Sequence, residues 1–195
     1  MSMFLGSIHY WLYGKIGKQE ALTEKIAKLA KSCGWINDSE VYTKTLPPLE
    51  KVIDENNIHG WLQACITDAE TRYADLVGTV LLQDEKRISK LCSAAYEFGE
   101  QNALPSDTNA QKAYEEFENF FVNGMPCDRV NMVIKEENGE LTWEQTCDIH
   151  EPYWIPFGGT GNYYIIRKSV MDGMLSAASL KVIMTDDNRY VITNK

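Results

Sequence analysis

The chain is short of basic residues, has no paired cysteines and carries no long apolar run. Its 195 residues hold 19 Lys and Arg against 28 Asp and Glu, a formal charge of −9. No cluster of Lys or Arg breaks that balance, so neither nucleic acid nor a membrane surface is expected as a partner. The five cysteines, Cys33, Cys65, Cys92, Cys127 and Cys147, are odd in number and contain no CxxC. That excludes a disulfide framework and points to free thiols in a reducing compartment. No stretch approaches the roughly 18 uninterrupted apolar residues of a membrane helix. The opening "MSMFLGSIHYWLYGK" lacks a basic leader and is broken by His9 and Lys15, unlike a signal peptide. A cytoplasmic location is the expectation. Also missing are a Ser-His-Asp elbow, an HExxH and a convincing pair of carboxylates, and no motif names a cofactor.

What is present is an ordinary globular composition, 44% hydrophobic and 24% charged. The length favours one domain over residues 1–195, with a helical part at 1–125 and an antiparallel sheet plus helix at 126–195. Leu5, Ile8, Leu12, Ile16, Leu22, Ile26 and Leu29 recur at three- and four-residue steps, which predicts a helix from about Met3 to Ser32, ended by Cys33-Gly34. A second helix is expected from Leu49 to about Leu82, with a fresh start at Asn56-Asn57 as the alternative. Asp84 caps a third helix through Phe98, and "AQKAYEEFENFFVNG" reads as a fourth, stopped by Gly124.

After Cys127 the period changes to that of strands. Asn138-Gly139 is a strong hairpin signal, and a turn there pairs Ile134 with Trp143, Met132 with Gln145 and Val130 with Cys147, all on one face directed at the helices. "HEPYWIPFGGTGN" reads as an aromatic, glycine-rich loop, residues 163–179 as a fifth helix, and the end of the chain as a second hairpin around Asp186 to Asn188. The fold class is therefore α+β: a bundle of about four helices followed by a hairpin–helix–hairpin unit packed on it.

One repeat stands out. "IHYWLYGKI" at residues 8–16 and "IHGWLQACI" at 58–66 share a His-x-Trp-Leu flanked by isoleucines, and Glu20 follows His9 at the interval by which Glu70 follows His59. Eleven residues are close to three helical turns, so histidine and glutamate share a stripe about 16 Å apart. If the two helices pack antiparallel, His9 approaches Glu70 and His59 approaches Glu20. The plainer reading makes both copies core stripes with satisfied polar groups. The sharper one is a metal or ligand site in the bundle, built from His9, His59, Glu20 and Glu70, as facing helices can do.

Three further groups carry chemistry. Cys147 and His150 form a CxxH, too few ligands for structural zinc; the pairing above buries the thiol, and the alternative is a catalytic Cys147 with His150 as its base. Arg129, at the junction of helices and sheet, suits a carboxylate or phosphate clamp, or else a tight turn tied by Asp128. Phe157-Gly158-Gly159 opens the fifth helix beside Tyr153 and Trp154, where aromatics can line a pocket or act as its lid. The first functional expectation is a small-ligand-binding domain or enzyme with a pocket between bundle and sheet, walled by His9, His59, Tyr153, Trp154 and Phe157, with Cys147, His150 and Arg129 as its polar groups. The second is a non-catalytic homodimeric interaction or sensor module; a metal-binding bundle cuts across both.

Overall fold

The computed structural model describes residues 5–185 and 188–195. The chain forms the expected α+β order, with four helices, a hairpin, a helical segment and a second hairpin. Helix α1 spans Ser7–Ser32, α2 Ile58–Gln83, α3 Ile88–Glu100 and α4 Ala110–Phe120. Strands β1 (Asn131–Glu137) and β2 (Glu140–Gln145) are followed by the single turn α5 (Glu151–Trp154), then α6 (Gly161–Met174). Strands β3 (Leu180–Met184) and β4 (Arg189–Asn194) complete an antiparallel sheet in the order β1-β2-β4-β3. The expected start of α1 at Met3 and two positions of the second turn, 186 and 187, lie outside the described residues. Among the described residues no helix is long and apolar enough to cross a membrane.

Caps decide where the helices begin. Asn57 accepts from the Gly60 N–H at 3.2 Å, so α2 starts at Ile58 and Leu49–Lys51 forms only a separate 3-10 turn. The long second helix from Leu49 is therefore corrected to the fresh start. Asn109 caps α4 in the same way, accepting from Lys112 N–H at 2.8 Å.

Helices α1 and α2 run parallel, because contacts advance together along both: His9 meets His59, and farther on Glu20 meets Arg72. Leu12, Ile16, Leu62 and Ile66, the apolar part of the repeat, are buried together with Leu49, Ile58 and Val122 in a smaller core. The larger core joins α2, α3, α4 and α6 to the inner face of the sheet, where Leu141, Trp143, Leu180, Tyr190 and Ile192 point inward. Trp143 stacks on Tyr190, their rings 4.9 Å apart at 9°.

Helix α6 is fixed against α3 by a backbone crossing. A Cβ on Gly173 would lie 2.1 Å from the Tyr96 carbonyl oxygen, and one on Gly99 2.2 Å from that of Val170. Two glycines thus let the helices touch main chain to main chain, which sets the depth and rotation of every α6 side chain.

The first hairpin departs from its expected register. Near the turn Glu137 opposes Glu140 and Lys135 opposes Thr142 as expected, but Val133, not Ile134, opposes Trp143, and Met132 faces Glu144. Ile134 is the extra residue of a β-bulge, which shifts all later pairs by one. Trp143 and Gln145 are buried as expected, whereas Met132 and Ile134 are exposed on the edge strand. Cys147, placed inward by the expected pairing, lies beyond the end of β2 and is exposed.

Candidate functional site

The sequence-derived candidates fall in separate places. His9 and His59 sit near the N-termini of the parallel helices with ring centroids 5.5 Å apart. His9 is buried and its Nδ1 accepts from the Gly6 N–H at 2.9 Å, so the neutral ring carries its proton on Nε2, which is buried without a partner. Burial, then the neighbouring His59, holds the His9 pKa below the ordinary histidine value. A metal at Nε2 would require the proton to move to Nδ1, where the Gly6 N–H already points.

Glu20 and Glu70 turn away from both histidines. Glu20 is gripped by Arg72, whose Nη1 donates to Oε2 at 2.9 Å. Glu70, fully buried on α2, lies 3.1 Å from His150 Nδ1 and accepts from Trp154 Nε1 at 3.3 Å. The parallel packing thus brings the two histidines of the repeat together and sends its two glutamates elsewhere. Among the described residues no group of three or more His, Cys, Asp and Glu is arranged to hold a metal ion.

His150 begins α5, its own N–H donating to Asp148 Oδ1 at 3.0 Å. That turn swings the ring inward to Glu70 and stacks it on Tyr163 at 3.8 Å between centroids, with Nε2 left unpartnered. Cys147 stays outside, and among the described residues no hydrogen bond joins its sulfur to the imidazole. Trp154 is buried edge-on to Tyr73 and Tyr163, at 5.2 and 5.4 Å. Tyr153 meets Thr67 Oγ1 through its hydroxyl at 3.2 Å, and Phe157 packs on Gly78, where a Cβ would lie 2.6 Å from the Phe157 Cβ. These aromatics clamp the segment to α2. Beside Phe157 an open groove runs past Leu82 and Ile165. Arg129 is exposed in a left-handed turn at φ 48°, following a 3-10 turn closed by Asp128 Oδ2 accepting from Met125 N–H at 2.8 Å.

A polar interior lies instead among the helices, between α1, α2, α6 and the end of α4, built from residues that belong to no motif. Arg167 on α6 is 4% exposed. It makes no hydrogen bond or ion pair among the described residues; Nε and Nη1 are buried donors without partners, and the guanidinium lies 4.8 Å from the Phe121 ring centroid. It lines a small cavity of about 20 Å3 with Gln19 and Leu22 of α1, Tyr73 of α2, Phe121 and Tyr163. Gln19 Nε2 is a further buried donor without an acceptor. Burial pushes the phenols of Tyr73 and Tyr163 well above their ordinary pKa, so both keep their protons at neutral pH. Lys18 stands at the exposed rim, its ammonium donating to Asn102 Oδ1 at 2.9 Å.

One helical turn before Gln19 on the same stripe of α1 is Lys15, 2% exposed, with its ammonium 4.0 Å from the Trp11 ring centroid. Burial lowers its pKa to about 8, opposed by Glu118 and reinforced by Arg167. Glu118 is engaged by two amides, Asn123 Nδ2 at 3.0 Å and Asn131 Nδ2 at 2.6 Å. Two buried cations, Lys15 and Arg167, thus lie within electrostatic reach of one carboxylate, Glu118. The sequence carries a signal for both buried cations: each interrupts an apolar helical stripe, Lys15 beside Leu12 and Leu22, and Arg167 between Tyr163 and Val170. Lone basic residues in a stripe form no motif, and snorkelling to solvent is their usual fate. Comparison of the chain with family models, with curated proteins and with solved structures finds no match.

Proposed function

We propose that this protein is a small-ligand-binding domain and that its ligand is an anion held among the helices, between α1, α2, α6 and the end of α4. The observation that carries the reading is Arg167, a permanently charged side chain 4% exposed whose Nε and Nη1 are buried with no acceptor among the described residues. A guanidinium has five donors and keeps its proton at any pH a protein survives, so burying it unpaired is among the costliest arrangements a core can contain. Phe121 offers a cation–π contact but no lone pair. An anion in the adjoining cavity would supply the missing acceptor, with Gln19 Nε2 as a further donor. Lys15 adds long-range attraction, and Glu118, already engaged by two asparagines, does not compete for the site.

The test is the melting temperature of the purified protein against sodium salts of different anions at constant ionic strength. An anion that binds only the folded state raises it by mass action. The stabilisation should be lost in Arg167→Met and retained in Arg129→Met, since Arg129 is exposed on a turn away from the cavity. If no anion stabilises the wild type, or if Arg167→Met responds as the wild type does, the reading is wrong.

A further inference from the structure

Resting on that reading, we propose that the occupant is a single monoatomic anion, a halide of chloride size, and not a carboxylate- or phosphate-bearing molecule. Size is the first argument. The cavity of about 20 Å3 has room for about one water-sized particle. The three heavy atoms of a carboxylate or the five of a phosphate would have to displace Leu22, Phe121 or Tyr163, all in the packed core.

Directionality is the second. A carboxylate presents about four lone-pair sites and a phosphate more, each needing a donor when buried. Much of the wall is apolar, from Leu22, Phe121 and Val122. Its unpartnered donors are few, namely those of Arg167 and the amide of Gln19. A halide accepts from any direction and leaves no oxygen unsatisfied. Charge is the third argument. Lys15 and Glu118 offset one another, and Arg167 leaves one positive charge that a monovalent ion neutralises. A water molecule would fit the space but would leave that charge uncompensated.

The experiment begins with protein exchanged into chloride-free sodium gluconate. Chloride, bromide, acetate and phosphate are then titrated at constant ionic strength, following melting temperature and the chlorine-35 line width, and the bromide position is read by anomalous scattering from crystals grown in sodium bromide. Chloride and bromide should act at concentrations at least tenfold lower than acetate or phosphate, with the bromide peak beside Arg167. Arg167→Met should abolish the chloride response, and Gln19→Leu at the half-buried edge of the cavity is the second variant, expected to weaken chloride about tenfold. Stronger stabilisation by acetate or phosphate, still dependent on Arg167, would overturn the halide assignment while leaving the anion reading intact. A bromide peak elsewhere with Gln19→Leu unchanged overturns it as well. No response to any anion overturns both.

Discussion

Arg72 and Arg167 are the two interior arginines of this protein's helical layers, and the chain surrounds them in opposite ways. Arg72 donates to both oxygens of Glu20, to Asp68 and to the Tyr42 carbonyl. Arg167 is more deeply buried and donates to nothing among the described residues. Their neighbourhoods touch, since Tyr73, the residue after Arg72, lines the cavity of Arg167. Charge alone does not separate the two. Accounting for donors does: one arginine is closed on its own chain and clamps α1 to α2, while the other keeps its hydrogen-bonding capacity for something the chain does not supply.

The largest expected effect falls on the frame that places Arg167. Gly173→Ala drives a methyl into the Tyr96 carbonyl, so α6 must lift from α3, with a loss of about 3 kcal/mol or more in urea unfolding. Intact stability there would mean that the backbone crossing is looser than described. Next, Glu20→Ala leaves Arg72 half-buried without its principal partner and should cost about 3 kcal/mol. Arg167→Met in anion-free buffer should be neutral or stabilising, by at most about 2 kcal/mol, because it removes a charge that has no partner to lose. Equal destabilisation by both variants would erase the contrast between the arginines.

A pH profile sharpens the same contrast through Lys15. Burial moves this ammonium from 10.5 to about 8, so the unfolded chain holds a proton across that interval that the folded chain has released. Stability contributed by this group therefore rises as pH climbs from about 8 to 10.5, by about 3 kcal/mol, and the full cost is present below 8. Lys15→Met should remove that rise and add about 2 kcal/mol at neutral pH, measured as the difference between the two profiles so that other lysines cancel. In the wild type, anion affinity should weaken as pH passes 8 and Lys15 loses its charge. An anion affinity flat from pH 7 to 9.5 would confine the site to Arg167 and Gln19.

The fold was largely legible because most of its signals are local. Apolar spacing located the helices, Asn57 marked the alternative start of α2, Asp84 capped the 3-10 turn Glu85–Arg87 that leads into α3 instead of α3 itself, and Asn138-Gly139 turned the hairpin. The bulge at Ile134 was not legible, since an extra residue leaves the alternation of neighbours nearly unchanged while shifting every later pair. The cavity beside Arg167 was not legible. The junction of bundle and sheet was expected to hold a site, whereas the cavity is lined by α1, α2, α6 and the end of α4; His9, His59, Arg129 and Cys147 were chosen by side-chain type, and the structure brings the two histidines together but leaves Arg129 and Cys147 exposed. His150, Glu70 and Trp154 do come together, though as a buried contact behind Tyr163.

By itself the sequence determined the elements, their order, the acidic balance and the apolar stripes of the repeat, because periodicity, caps and turn residues act within a few positions. Only the tertiary structure decided that α1 and α2 run parallel, which sends Glu20 to Arg72 and Glu70 to His150 instead of to the histidines. It alone placed Arg167 in the interior without an acceptor. The physical reason is the same for both: a hydrogen-bond partner or its absence depends on which residues the packing brings within about 3 Å, and neither helical period nor residue type encodes that distance.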